Sequence, residues 1–446
     1  MNKTRNTVLL LFMSSILFVS CGSSRRTAVP LGEVPLVAKH TEKAETVRTE
    51  AKTHNDTLSL DEAIQLALTK NPQLKEFYTE IKSREARTWQ ESLLPNPALD
   101  IEVENFSGTG LYRGFKNTES TISIGQLVVL GGKIDKRTRI AAVESDIAML
   151  QYEIQRLAVI TRVREAFTQM LRAQRKMALE RKLLELSQSF KTNVERLVQS
   201  GRLSRAESAR AQVELSNREV ALQQSLRQLN NARRRLAATW GAKTADFNHV
   251  KGDFIALKSS LDKDKLQHLA QNSPFVIRQK AVISRQKTQT QLATAQAIPD
   301  PVVRAGYRWL NESGDHAFVT SLSIPIPVFD RNQGGRQEAV LRERQSKERL
   351  RTLQNELIAE TDTRLETIRN ISNEIKIMKN TILPQALNAY KIIYENYLRG
   401  KYAIIDVLDA QRQLFNAEGR YIDLLAELNS QVITLEGLLG QSLDAL

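Results

Sequence analysis

Two periods of apolar side chains run through the chain. Across residues 133–200 the apolar positions step by three and four: Ile140, Val143, Ile147, Leu150, Ile154, Leu157, Ile160, Val163, Phe167 and Met170. That is the spacing of a helix packed along a coiled-coil seam. Neither Gly nor Pro interrupts it before Gly201, so it predicts one helix on the order of 100 Å long at about 1.5 Å per residue. Residues 337–398 repeat the pattern with Ile368, Ile371, Ile375, Met378 and Ile382, and Pro384 predicts a bend within it. Both runs end in glycine turns, after which helices return over residues 204–240 and from about 404 to 439.

The second period is two. Leu99, Ile101 and Val103 alternate with Asp100, Glu102 and Glu104, and Ile122 and Ile124 alternate with Ser123 and Gly125. Further on, Ala305, Tyr307 and Trp309 stand against Arg304, Gly306 and Arg308, while Phe318, Leu322 and Ile324 stand against Ser321 and Ser323. These are four strands with one wet and one apolar face. A glycine-rich loop over residues 107–118 joins the first two, and aromatics on the apolar face suit a lipid-facing belt. A helix precedes the first strand. Ser59 offers a cap with Glu62 three positions on. The helix carries Ala63, Leu66 and Ala67, then Leu74 and Phe77 beyond Asn71-Pro72, and stops before Pro95.

The same order of elements occurs twice. Gly201-Arg202-Leu203 leads to Ala211-Gln212 and Leu215, and Gly400-Lys401-Tyr402 leads to Ala410-Gln411 and Leu414, 199 residues later. Gly241 and Gly440 keep that offset. Asn71-Pro72 with Ser273-Pro274, Leu94-Pro95-Asn96-Pro97 with Ile298-Pro299-Asp300-Pro301, and Gly131-Gly132 with Gly334-Gly335 recur at slightly larger ones. The body is a tandem duplication, with repeats over residues 58–242 and 262–441, a linker over 243–261 and a tail over 442–446.

Ahead of the body, Lys3 and Arg5 precede an apolar run over residues 8–19 that is too short to span a bilayer. Residues 1–20 read as a cleavable secretory signal. The run ends in Leu17-Phe18-Val19-Ser20-Cys21-Gly22, which resembles the lipobox of bacterial lipoproteins, with Phe18 where leucine is usual. Cys21, the single cysteine of the chain, is then the acylated first residue. Gly22 in place of aspartate implies sorting to the outer membrane. Residues 21–57 are polar, contain Pro30 and Pro35, and read as a lipidated tether. Outside the signal no apolar segment approaches the roughly 20 residues of a membrane helix. The net charge of +14 is spread along helical stretches among Glu and Gln, without the aromatic interleaving of nucleic-acid grooves. It reads as solvated helix faces, with no nucleic-acid partner.

Four amphipathic strands cannot close a sheet alone, and an open edge in lipid leaves unpaired backbone groups costing several kcal/mol each. Three copies would give a barrel of 12 strands, within the range of outer-membrane barrels. Helices of about 100 Å far outreach a hydrocarbon core of roughly 30 Å. The expected fold is therefore mainly α with a small β part: a long-helix tube built from tandem repeats, plus four transmembrane strands per chain completing a 12-stranded barrel in a homotrimer.

The chain resembles the TolC-type outer-membrane factor family, and within it the branch of heavy-metal efflux channels. The likeness rests on Leu60-Asp61-Glu62-Ala63 with Ala67, Asn71-Pro72, Leu94-Pro95-Asn96-Pro97 and Leu130-Gly131-Gly132-Lys133. Further on it rests on the run from Pro325 to Gly334, which contains Phe329-Asp330-Arg331, and on Gly400 followed by Asp406-Val407-Leu408-Asp409-Ala410-Gln411. The resemblance implies a passive duct that meets a periplasmic adaptor and an inner-membrane transporter of the resistance-nodulation-division class. It implies adaptor contact at the hairpin tips, Gly201, Arg202, Leu203, Gly400, Lys401 and Tyr402. It also implies a periplasmic gate from Asp406 and Asp409, three apart on one helix face. Three chains would gather these into acidic rings that attract cations. The plain reading of the same residues is that Asp406 caps its helix and Asp409 is solvated.

Glu207 and Arg210 hold the matching places in the first repeat, where the arginines could latch onto the aspartates. Tyr397 matches a family tyrosine that ties neighbouring coils shut, with Glu207 as the expected acceptor. Tyr402 replaces the family's partnering arginine, a role open to Lys401 or Arg399.

The five histidines are far apart and no Cys or Met cluster offers a soft site, so no metal ligand set is expected. Metal as cargo follows from the resemblance alone. No phosphate loop, nucleophile motif or supported carboxylate pair points to an enzyme, and no cofactor is expected beyond the lipid on Cys21. Two other readings stay open: a duct for drug, dye or protein export, and a lipid-anchored coiled-coil scaffold. The scaffold does not account for four amphipathic strands at matching places in two repeats.

Overall fold

The computed structural model of the chain describes residues 56–255 and 261–443. The expected signal segment, Cys21 and nearly all of the tether lie outside the described residues.

The first repeat runs β1 (Thr57–Ser59), α1 (Leu60–Lys70), α2 (Pro72–Glu91), β2 (Ala98–Glu104), β3 (Glu119–Leu127), α3 (Lys133–Gln199) and α4 (Arg205–Ala238). The second repeats that order as β4 (His249–Lys251), α5 (Lys263–Gln271), α6 (Pro274–Ala295), β5 (Val302–Leu310), β6 (Asp315–Ser323), α7 (Gln333–Ile377) with α8 (Leu383–Leu398), and α9 (Ile404–Leu439). Local chemistry explains the boundaries. The Glu62 backbone N–H donates to the Ser59 hydroxyl, and the Ser59 N–H donates back to the Glu62 carboxylate at 2.9 Å, so two orphan donors of α1 are satisfied reciprocally. Asn71 then ends α1 and starts α2. Its side-chain oxygen accepts from the Gln73 N–H at 2.8 Å, its amide donates to the buried Thr239 carbonyl at 2.7 Å, and Pro72 takes the first helical position, where no N–H is required.

The landmarks shared by the repeats have one structural cause. Gly241 (φ 81°) and Gly440 (φ 73°) are left-handed residues that stop α4 and α9. Each lies against the proline that begins a short helix: a Cβ on Gly241 would stand 3.3 Å from Cδ of Pro72, and one on Gly440 2.7 Å from Cδ of Pro274. The glycine and the distant proline are therefore two halves of one joint, made twice. Each repeat also builds its own core. Leu58, Ala63, Ala67, Leu74, Val163, Phe167, Leu236 and Trp240 pack together in the first, and Leu266, Ala270, Val276, Leu365, Ile368, Leu424 and Leu435 in the second. Burying each leucine contributes roughly 1.5–3 kcal/mol relative to exposure.

α3 is a single helix of 67 residues, about 100 Å at the standard rise. Its expected apolar face is only partly covered. Val159, Val163, Phe167 and Met170 are buried, whereas Ile140, Val143, Ile147, Leu150, Ile154 and Leu157 stay half-buried. The matching run in the second repeat departs from expectation in two places. The bend expected at Pro384 is taken up by a π-turn, Met378–Ile382, in which the Leu383 N–H reaches the Met378 carbonyl. Widening the turn by one residue makes room for a ring that would crowd the preceding turn. In addition, α7 begins at Gln333 rather than 337, so Gly334 and Gly335 lie inside it. Asn332 (φ 55°) takes the left-handed place held by Gly132 before α3, and its amide donates to the Ala293 carbonyl at 2.8 Å, which fixes it there.

β2, β3, β5 and β6 form one antiparallel sheet in that order. Register aligns Ile101, Ile122, Tyr307 and Phe318 in a row across all four strands on one face. The row Glu102, Thr121, Arg308 and Ala317 lies on the other. Ile324 falls just past the end of β6. A second sheet, absent from the sequence reading, pairs β1 with β4 in parallel, Leu58 opposite Val250.

The glycine joints make a graded prediction. At Gly201 (φ 75°) a Cβ meets open space, so Gly201→Ala should cost about 1 kcal/mol of left-handed strain. Gly440→Ala adds a collision with Pro274 and should cost roughly 2–4 kcal/mol. Thermal unfolding of the detergent-solubilised variants should therefore give a clearly lower midpoint for Gly440→Ala than for Gly201→Ala.

Candidate functional site: an open sheet and a helical tip

The sheet is the first candidate region. Its apolar face has no cover: Ile101 is 68%, Ile122 55%, Trp309 54% and Phe318 76% exposed. Tyr307 and Trp309 pack around His316 at ring distances of 5.3 and 5.4 Å, and Tyr307 meets Phe318 edge-on at 5.7 Å. The opposite face is a network of charge. Arg308 donates to Glu119 at 2.7 Å and to the Thr121 hydroxyl at 3.0 Å and lies 3.4 Å from Glu104, and Arg304 bridges to Asp100 at 3.1 Å. Glu102 stands in the same face with no ion-pair partner among the described residues. β2 and β6 each pair on one side only, so both outer edges of the sheet are open. Its exposed apolar face and open edges make the sheet the membrane-facing candidate; among the described residues no helix is long and apolar enough to cross a membrane.

The second region is the far end of the long helices, where the repeats share a core. Phe190 and Val194 of α3 and Ala211 of α4 pack with Tyr397 of α8 and Ile404 and Val407 of α9. Both hairpins turn alike: the Arg202 N–H reaches the Leu197 carbonyl and the Lys401 N–H reaches the Asn396 carbonyl, each at 2.9 Å. Of the expected tip contacts, Gly201, Arg202, Gly400, Lys401 and Tyr402 are exposed, while Leu203 is half-buried against the shared core.

The expected gate residues are close in sequence to these turns, but within one chain most are already engaged. The Asp406 carboxylate accepts from the Ala403 N–H at 2.9 Å, which makes it a helix cap. Asp409 accepts from Arg412 at 2.8 Å and Gln413 at 2.7 Å. Glu207 accepts from the Ser204 N–H at 3.0 Å and caps α4 in the same way, while Arg210 is exposed on that helix. Within the single chain, Tyr397 and Glu207 form no hydrogen bond. Tyr397 is 4% exposed and its hydroxyl has no partner among the described residues, because Glu207 is turned to its own helix end.

Sequence reasoning missed the aromatic cluster around that tyrosine. Tyr390 and Tyr394 stack at 5.8 Å, Phe190 meets Tyr397 at 5.9 Å, and Asn193 donates to the Tyr394 hydroxyl at 2.8 Å. Tyrosines at 390, 394 and 397, spaced by four and three along one helix face, were the available signal.

The molecule thus carries an open-edged amphipathic sheet at one end of paired long helices in a duplicated chain. The chain belongs to the outer membrane efflux protein family, whose model matches residues 63–242 and 266–441. It is 29% identical over 395 residues to the cobalt-zinc-cadmium resistance protein CzcC of Cupriavidus metallidurans, a match that covers 86% of this chain and 90% of the relative. The nickel-cobalt-cadmium resistance protein NccC of Alcaligenes xylosoxydans xylosoxydans is 26% identical over 275 residues, covering 61% of this chain and 60% of its own. The fold superposes on the solved structure of the transmembrane channel protein CusC with a TM-score of 0.72 at 16% identity, covering 89% of this chain and 96% of that one. The family places the chain at the outer membrane, in a class of efflux proteins.

The tyrosine cluster gives the tip a pH signature. Burial and the charge of Glu207 push the Tyr397 phenol from 10.0 up to about 12, and burial beside Tyr394 does the same to Tyr390. An unfolded tyrosine loses its proton at lower pH than these folded ones, so their contribution is intact below pH 10 and is lost between about 10 and 12. Unfolding measured against pH should show this alkaline loss in the wild type, and Tyr390→Phe with Tyr397→Phe should reduce it.

Proposed function

We propose that the chain is one subunit of a trimeric outer-membrane exit duct that carries metal cations passively out of the periplasm. The observation that supports this most directly is the four-stranded sheet with segregated faces and two open edges. Its strands alternate in direction, so β6 of one copy is antiparallel to β2 of the next in a head-to-tail ring. Such contacts form a closed ring when the rotation between neighbours closes. Three copies of four strands make a barrel of 12, an allowed even number. Strands of 9 residues in β3, β5 and β6 match the length a tilted membrane strand needs.

In that ring the apolar face meets lipid and the charged face lines water. Asp100, Glu102, Glu104 and Glu119 outnumber Arg304 and Arg308 along it, which favours cations in the lumen. The long helices continue the conduit through the periplasm. Their tips meet a periplasmic adaptor, and through it an inner-membrane transporter of the resistance-nodulation-division class, which supplies the energy. Cys21 carries the lipid that holds the assembly to the membrane. The cargo is read from the relatives, two of which are metal-resistance proteins of cobalt, zinc, cadmium and nickel. In the trimer the Asp406 and Asp409 carboxylates, with Glu207, Arg210 and Tyr397, form the periplasmic constriction, with the capping bonds of the single chain retained or exchanged on opening.

A strain lacking this chain should become sensitive to zinc, cobalt, cadmium or nickel while its tolerance of antibiotics, dyes and bile salts stays unchanged. Wild type should rescue it and Cys21→Ala should rescue it less. Sensitivity confined to organic compounds would leave the duct in place and overturn the metal cargo.

A further inference from the structure

The four helices connected to the sheet join it at one end: α2 enters β2, β3 leads to α3, α6 enters β5 and β6 leads to α7. The loop over residues 105–118 therefore stands at the opposite end, which the proposed function sets at the outer face of the membrane. This loop is a built object. The Ser107 N–H donates to the Gly114 carbonyl at 2.8 Å and the Gly108 N–H to the Tyr112 carbonyl at 2.9 Å. The Asn117 amide donates to the Leu111 carbonyl at 2.7 Å, and Asn311, from the other hairpin, to the Phe115 carbonyl at 2.9 Å. Asn105 (φ 59°) and Ser107 (φ 56°) are held in left-handed conformations that non-glycine residues seldom adopt.

What this framework holds up is apolar and cationic. Leu111 is 81% and Phe115 68% exposed, Tyr112 and Phe106 are about half exposed, and the Phe106 and Phe115 rings lie parallel with centroids 6.2 Å apart. Arg113 and Lys116 are exposed between them with no anionic partner among the described residues, and residues 105–118 contain no Asp or Glu. A water-facing loop has no use for so much ordered apolar surface. A lid of three such loops closing on one another over the exit would gather Arg113 and Lys116 from every copy without a carboxylate from the loop itself to offset them. An anionic amphiphile satisfies both features at once, because apolar side chains enter the interface while cations meet phosphate.

We propose that residues 105–118 dock on the outer-leaflet lipid surface, with Leu111, Tyr112 and Phe115 entering the interface and Arg113 and Lys116 engaging negatively charged, phosphate-bearing head groups. The inference rests on the membrane reading of the sheet, and its test keeps the two apart. The full chain, with Cys21→Ser, carries an environment-sensitive fluorophore either at Leu111→Cys or at Leu322→Cys on the apolar face of β6. It is reconstituted in nanodiscs of phosphatidylcholine alone or of phosphatidylcholine mixed with phosphatidylglycerol.

The label at 322 reports the sheet and should be blue-shifted in both discs; a water-like signal there sinks the membrane reading itself. The label at 111 should shift to the blue and lose iodide quenching in the anionic discs. Arg113→Gln with Lys116→Gln should abolish that change while the label at 322 is unaffected. A label at 111 that stays in water in both discs overturns docking. One that is shielded equally in both, whatever stands at 113 and 116, shows that anionic head groups are not what the loop engages and overturns it too.

Discussion

Backbone hydrogen bonding in a medium without water is the constraint on which this molecule turns. The chain supplies four strands whose apolar sides are exposed and whose outer edges are unpaired. In the hydrocarbon layer each unpaired N–H or C=O costs several kcal/mol, so the sheet is a membrane structure only as a segment of a closed ring. Duplication meets this constraint economically. Each repeat contributes one strand before its long helix and one after its short ones, and β3 and β5 join the two hairpins across the 174 residues between Leu127 and Val302.

The duplication also explains how such long helices are anchored. Where α4 and α9 end, a left-handed glycine lies on the proline that starts α2 or α6, and a separate core forms beside each joint. Toward the other end the two repeats share two small cores, one of Leu183, Leu414 and Phe415 and one around Tyr397 at the tip. The body is therefore braced by the large core of each repeat and by two smaller cores that the repeats share. The tip core is smaller than the cores at the two joints, the kind of local weakness expected of an element that moves.

Periodicity made most of the fold legible. Alternation at Leu99–Val103 and at Ala305–Trp309 marked strands that the structure contains, and the glycine-free stretch after Gly132 marked α3. Shorter features were hidden because they depend on contacts far apart in sequence. β1 and β4 are three residues each and pair across nearly two hundred positions, so neither shows a period. The αL duty of Asn332 came from its bond to Ala293, which spacing could not reveal. At the tip, the sequence already offered a capping reading of Asp406, which the single chain contains, whereas Glu207 was read for charge alone although it too sits at the third position of a helix, where backbone N–H groups compete for it. A single chain engages them as caps, and any further role depends on neighbours.

The most direct test is whether β6 of one copy lies beside β2 of the next. Glu102→Cys on the charged face of β2 can be combined with Ala317→Cys, Val319→Cys or Ser321→Cys on the same face of β6, in a chain lacking Cys21. Within one chain these positions are three strand spacings apart, about 14 Å, beyond the reach of a disulfide. Oxidation in native membranes should link copies through at least one pair and give dimers and trimers on a denaturing gel, with nothing larger. An absence of cross-links for every pair, or a ladder continuing past three, would contradict a closed trimeric barrel.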